Sequence, residues 1–271
     1  MSNDPKRLTI ASFDIGVKNL AFCVMQYDPD APSGSKFPIL QWRSMDLTDK
    51  DGASERNCDR MKPDGEQCNH QARIFLENGE AYCGVHNPDR TKYKPVKQTG
   101  AKAKSLSYDT IGNALMDRLD ELSDVWDQVD HVILETQFSK NRRMIFLSAI
   151  IYAYFMKTGQ RNDGSRITNV KFISSRNKLE VYDGPAITAK KRKNPKDERK
   201  QLAIQHCEYM IREDKEHLAY LKRFPKKKDD LSDCFLQGAW YLTHECKAKR
   251  AAKAAKAKSK KAAAIKVKLI N

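Results

Sequence analysis

Two short apolar runs in this chain each end on an acid, and that pairing constrains the fold more than any other feature. Arg7 to Phe13 leads directly into Asp14, and the apolar stretch from His131 to Leu134 leads directly into Glu135. Short, nearly continuous apolar runs read as strands buried on both faces. Gly16 permits a tight turn after the first run, and Leu20 to Gln26 is a second apolar strand, so the pair predicts an antiparallel hairpin. Pro29, Pro32, Gly34 and Ser35 break the pattern before a third strand, Pro38 to Met45. Ile111, Leu115, Leu119 and Leu122 form a helical stripe, and Met144 to Met156 reads as a buried helix. Asn169 to Ser174 is a further strand. A basic loop from Pro185 to Lys200 precedes an amphipathic helix, Leu202 to Ile211. Asp229 to His244 is the last helix, with Leu231, Phe235, Ala239 and Leu242 turned inward. Strands first, then helices alternating with strands, predict a mixed α/β sheet, and 271 residues with 40% hydrophobic content are enough to fill its core.

Composition excludes other classes. The apolar runs are far too short to span a membrane, and the N-terminus lacks the apolar segment of an export signal, so an intracellular, non-secreted protein is expected. Seven cysteines in such a chain favour reduced thiols or metal ligation over a disulfide framework. The formal net charge of +15 points to a polyanionic partner. Nine Lys and one Arg from residue 247 onward supply +10 of it, leaving about +5 for the preceding 246 residues. The tail, 247–271, is expected to be disordered when free, through like-charge repulsion, and to serve as a DNA tether or targeting signal.

The acids gather at three places: Asp14, Glu135, and the start of the last helix with Asp229, Asp230 and Asp233. Spacings of three and four residues put the helical acids on one face. Taken singly, each has a plain structural reading as a turn former or helix cap. Together, several carboxylates in a partly dry site repel one another unless cations hold them. Two Mg²⁺ ions would do so and would also stabilise the attacking and leaving oxygens of a phosphodiester hydrolysis. Oxygen ligands favour Mg²⁺ or Mn²⁺ over zinc.

The cysteines suggest a second metal. Composition changes between residues 51 and 100, where apolar content falls and Gly, Pro, Asn and Cys rise. Cys58, Cys68, Cys83 and His86 form Cys-x9-Cys-x14-Cys-x2-His, a ligand set suited to a structural, tetrahedral Zn²⁺, with His70 as a competing fourth ligand. Such a segment has no core-forming pattern, so metal must order it.

Three stretches carry a resemblance. Phe13-Asp14-Ile15-Gly16-Val17-Lys18-Asn19-Leu20-Ala21 is similar to the first motif of RuvC-like Holliday-junction resolvases of the poxvirus and mitochondrial branch. Leu134-Glu135-Thr136-Gln137, followed by Arg142-Arg143, resembles the second motif, and Lys227-Lys228-Asp229-Asp230-Leu231-Ser232-Asp233-Cys234-Phe235 resembles the closing segment. The resemblance implies a ribonuclease-H-like fold, DNA binding as a homodimer, and Mg²⁺-dependent nicking of opposed strands of four-way junctions. It implies Asp14, Glu135, Asp230 and Asp233 as metal ligands, with Asp229 adjacent and the choice between Asp229 and Asp230 left open. It leans toward a large DNA virus, with the host cytoplasm or nucleus expected ahead of mitochondria.

On this reading residues 7–50 and 101–246 form the resolvase domain, 51–100 the zinc-binding insertion and 247–271 the tail. Lys18, Arg142, Arg143, Lys190, Lys191, Arg192, Lys193, Lys227 and Lys228 are the candidate DNA contacts, and branched DNA the expected substrate. A less selective nuclease of the same fold, and a non-catalytic zinc-dependent DNA-binding protein, are the competing readings.

Overall fold

The structure, a computed structural model, describes residues 7–49, 56–68, 70–86, 92–96, 103–187, 194–223 and 227–245. Its strands are β1 (Ile10–Asp14), β2 (Leu20–Met25), β3 (Ile39–Met45), β4 (Ile74–Leu76), β5 (Ala81–Tyr82) and β6 (Pro95–Val96). Helices α1 (Tyr108–Asp120) and α2 (Ser123–Trp126) follow, then β7 (His131–Glu135), α3 (Arg142–Phe155) and β8 (Asn169–Ile173). A 3-10 turn (Ser175–Val181) leads to α4 (Pro195–Met210) and α5 (Lys215–Arg223), and a last helix, α6, covers 228–245.

β1 sits at the centre of a five-stranded sheet of order β3-β2-β1-β7-β8. The hairpin partners are antiparallel, whereas β7 and β8 run parallel to β1. This is the expected mixed sheet flanked by helices. Side-chain alternation sorts the core into two layers. Ala11, Phe13, Phe22, Val132 and Leu134 pack on one face against Ile111, Leu115, Leu119, Leu147 and Ile151 of α1 and α3. Ile10, Cys23, Met25 and Ile133 pack on the other against Ala203, Cys207, Leu231, Phe235 and Ala239 of α4 and α6. Helices on both sides explain why β1 and β2 are apolar nearly without interruption.

α6 is fixed to β3, β1 and β7 of the main sheet at several heights. Trp42 Nε1 donates to Leu231 O (3.1 Å), Gln237 Nε2 donates to Ser12 Oγ and Phe13 O (both 3.3 Å), and His131 Nδ1 meets Tyr241 OH (2.9 Å). Gly238 allows the closest approach. A Cβ there would stand 2.7 Å from Met25 Sδ and 3.1 Å from Ser12 Cβ. The helix therefore starts at the sheet edge where β1 ends.

Most predicted elements lie within a few residues of their expected places, but α5 has no counterpart in the sequence reading and α4 begins earlier than expected. The basic loop expected through Lys200 becomes helical at Pro195. Asn194 caps α4 by accepting from Lys196 N–H (3.0 Å), Pro195 occupies the first turn, and Asp197 and Glu198 complement the helix dipole. Lys190, Lys191, Arg192, Lys193 and the tail 247–271 lie outside the described residues. Among the described residues no helix is long and apolar enough to cross a membrane.

Gly238→Val should lower stability by about 2 kcal/mol, since overpacking against Met25 and Ser12 outweighs the gain in helix propensity. Urea unfolding measures this, and an unchanged or raised midpoint would contradict the packing described.

Candidate active site

Strand parity and register bring the first two acids together. Phe13 pairs with Leu134 across the parallel β1–β7 ladder, so the next residues, Asp14 and Glu135, leave the sheet side by side. Asp14 shares the parity of Ile10, and Glu135 that of Ile133, so both point to the face that α6 covers. α6 begins at this edge, and its first turns carry Asp229, Asp230 and Asp233. Three separated segments thus meet at one place because the strand ends and the helix start share an edge.

The electrostatics are those of a crowded anionic pocket. Burial raises the Asp14 carboxyl well above its ordinary range, and Glu135, Asp233 and Asp230 raise it further. Asp230 is pushed up to about 7, first by burial and then by Asp229 and Asp233, with Lys200 and Lys227 acting the other way. Burial likewise raises Asp233 despite the opposing pull of Lys178.

Lysines hold the outer acids. Lys178 Nζ pairs with Asp233 Oδ2 (2.5 Å), and Lys200 Nζ pairs with Asp229 Oδ2 (2.6 Å). The other oxygen, Asp233 Oδ1, is buried without a hydrogen-bond partner among the described residues. An orphaned buried carboxylate oxygen beside Asp14, Glu135 and Asp230 fits a hard divalent cation, whose preferred donors are carboxylate oxygens. Asp230 acts on Asp14, and Asp229, paired with Lys200 of α4, acts on Asp230 and Asp233.

The candidate DNA contacts divide into outward and inward groups. Lys18 and Arg142 are exposed, and Lys227 is half-buried beside Asp230. Arg143 Nη2 donates to Leu106 O (2.6 Å) and Lys104 O (3.1 Å), and the guanidinium lies over Tyr108, so it anchors the chain entering α1. Lys228 pairs with Glu208 of α4 (2.9 Å). Cys234 is core, with its thiol donating to Leu231 O (3.1 Å).

Lys178 and Gln237 belong to no motif in the sequence. The parallel β7–β8 pairing carries the signal for Lys178. Glu135 pairs with Ile173, so the turn after β8 must emerge beside Glu135. Gln237 is polar on a helix face otherwise apolar, a hint that it meets a buried backbone group.

A second cluster lies in the insertion, around the small sheet β5-β4-β6. The ligand atoms of Cys58, Cys68, Cys83 and His86 all lie within 4.8 Å of one another. His86 Nδ1 is 3.5 Å from Cys58 Sγ and 3.6 Å from Cys83 Sγ. A tetrahedral site with Zn–S of about 2.3 Å and Zn–N of about 2.0 Å has S···N edges of about 3.5 Å, so the group fits. His70 contacts Cys68 Sγ (3.3 Å) but does not belong to the four-membered group. Burial raises the Cys83 thiol, but N–H groups of His86 and Val85 more than offset this and leave it lowered, which favours a thiolate ligand.

The profile described as mitochondrial resolvase Ydc2 / RNA splicing MRS1 matches residues 10–251, and the chain belongs to that family. An uncharacterised protein of Acanthamoeba polyphaga mimivirus is 30% identical over 210 residues, which is 69% of this chain and 49% of that protein. The chain therefore spans about half the length of the curated relative it matches. Among solved structures, the yeast mitochondrial Holliday junction resolvase Ydc2 aligns with a TM-score of 0.48 and 15% identity, covering 89% of this chain and 82% of that one. Fowlpox virus resolvase in complex with substrate Holliday junction DNA gives 0.42 and 16%, covering 88% and 98%. Thermus thermophilus RuvC gives 0.43 and 11%, covering 88% and 97%.

The raised Asp230 carboxyl sets a pH dependence. The cation-free folded chain keeps a proton there that the unfolded chain releases above about pH 4. That stabilisation is whole below pH 4 and is lost as pH rises through about 7. Asp230→Asn should therefore stabilise the protein at pH 8 in EDTA by on the order of 2 kcal/mol, roughly 5 °C in Tm, and change it little at about pH 4. Thermal melts across pH check this, and equal melting of both proteins at pH 8 would contradict it.

Proposed function

We propose that this chain is a divalent-cation-dependent, structure-selective DNA endonuclease that resolves four-way junctions and other branched DNA. The observation that carries the reading is the buried Asp233 Oδ1, unpartnered among the described residues, in a group of acids where Glu135, Asp233 and Asp230 all act on Asp14. Family membership supplies the context. A merely nucleic-acid-binding protein has no use for the raised carboxyls of Asp14, Asp230 and Asp233 gathered with Glu135 beneath a packed helix.

Asp14, Glu135, Asp230 and Asp233 would hold two Mg²⁺ ions, with Mn²⁺ able to replace them. When bound, such a pair supplies an activated water and charge stabilisation for in-line displacement at a phosphodiester. Asp14 and Glu135 form one wall on adjacent strand ends, and Asp230 and Asp233 the other at the start of α6. Lys178 orients Asp233, and Lys200 keeps Asp229 in a supporting place. Lys18, Arg142 and Lys227 position the phosphate backbone, aided by the basic segment with Lys190, Lys191, Arg192 and Lys193. Backbone contacts of this kind leave selection to DNA shape.

In this reading residues 7–50 and 101–246 are a ribonuclease-H-like resolvase domain, 51–100 is an insertion closed by structural Zn²⁺, and 247–271 is a basic tether. A homodimer would match the two-fold symmetry of a four-way junction and deliver paired nicks. The role would be resolution of branched replication intermediates of a large DNA virus, in the host cytoplasm or nucleus, and the relative in a mimivirus supports the viral setting.

Cleavage of a synthetic four-way junction in Mg²⁺, beside flap and linear duplex controls, tests the proposal. Asp14→Asn and Glu135→Gln should each cut at least about 100-fold more slowly while still binding the junction. Undiminished cleavage by both variants would remove these acids from the chemistry, and equal cleavage of linear duplex would favour a less selective nuclease.

A further inference from the structure

The small zinc-type module, residues 56–96, leaves and rejoins the main sheet at the edge that carries the acids. β3 and β1 are both antiparallel to β2, so β3 ends at Met45 on the same edge as Asp14. The chain stays there, because Leu47 N–H donates to Val17 O in the β1–β2 turn (2.9 Å). On the return side Lys104 and Leu106 are gripped by Arg143, in the first turn of α3, just beyond the loop that follows Glu135. The carbonyl grip of Arg143 thus ties the returning stem of the module to the active-site edge.

The module's unpaired charge is cationic around its metal cluster. Arg60, between Cys58 and Cys68, is exposed and forms no ion pair among the described residues. Arg73 is likewise exposed and unpaired among them, and its Nη1 would lie 3.8 Å from a Cβ on Gly84, beside Cys83 and His86. Lys92 and Lys94 are exposed next to β6. Arg56 and Lys62, by contrast, are neutralised by Asp59 (2.7 Å) and Glu66 (3.1 Å). Among the described residues the module's remaining acids sit at the two glycine turns, Asp64 by Gly65 and Glu77 and Glu80 by Gly79, with Glu80 tied to Asn78 and Tyr82. Met61 and Val85, next to Arg60 and the knuckle, are exposed apolar tips at 56% and 78%.

We propose that this Cys58/Cys68/Cys83/His86 module is a second DNA-binding element, which grips a duplex arm of the branched substrate through Arg60 and Arg73, with Lys92 and Lys94 alongside. It rests on the nuclease reading for the position of the substrate. Cationic side chains neutralise phosphates through their charge, and a module closed by metal instead of a core holds them in place. Contacts of this type are blind to base sequence, as an arm of a branched structure requires.

The test uses the full zinc-loaded chain and a fluorescent four-way junction, without Mg²⁺. The double variant Arg60→Glu/Arg73→Glu should bind about 10-fold more weakly at about 100 mM salt, with the slope of log affinity against log salt shallower by about 2. Arg60→Lys/Arg73→Lys should bind within about twofold of wild type, since it keeps the charges. Wild-type affinity and slope in the Glu variant, with zinc content intact, would overturn the proposal. So would equal weakness in the Lys variant, which would mark a structural role. Cleavage by Asp14→Asn reports separately on the nuclease reading, so failure of one claim is not confused with failure of the other.

Discussion

Four carboxyl groups are forced together at one edge of the main sheet, and the packing beneath them must withstand their repulsion. The packing is supplied by α6 on β1. Gly238 lets the helix backbone approach Met25 and Ser12, Gln237 takes up Phe13 O, and Trp42 takes up Leu231 O. These contacts are neutral and buried, so they do not relax when the acids ionise. The helix N-terminus itself favours negative charge in its first turn, which eases part of the strain on Asp229, Asp230 and Asp233. Lys178 and Lys200 pair with the outer acids, leaving Asp14, Glu135 and one oxygen of Asp233 without a lysine or arginine partner among the described residues.

Much of this is legible in the sequence because the central strands are buried on both faces. β1, β2 and β7 read as strands from their apolar runs alone, and the stripe Ile111, Leu115 and Leu119 marks α1. Asp14 and Glu135 stand out because an acid directly after such a run needs a reason. What stays hidden depends on topology. Periodicity does not reveal which strand ends are neighbours, so the arrival of Lys178 from the turn after β8 becomes readable only once β7 and β8 are seen to be parallel. Asp229 and Asp230 are indistinguishable as adjacent acids in the sequence, which does not show that Asp229 pairs with Lys200 on α4. Nor does it show the two backbone carbonyls near α1 that Arg143 meets.

The insertion obeys a different rule. Its buried cluster consists of Cys58, Cys68 and Cys83 with Tyr82 alongside, far too little apolar surface to organise a fold. On the proposed reading order there comes from ligand geometry, and ligand spacing is directly visible along the chain, which is why Cys58, Cys68, Cys83 and His86 stand out in it. The chain would thus combine a core held by burial with a module held by coordination, joined at the edge where the acids gather.

The most direct measurement is a crystal structure of the protein soaked in Mn²⁺, read by anomalous scattering. The account predicts density between the Asp14 and Glu135 carboxylates, with a ligand from Asp233 Oδ1. Manganese bound only elsewhere, or acids turned away from a common centre, would contradict it.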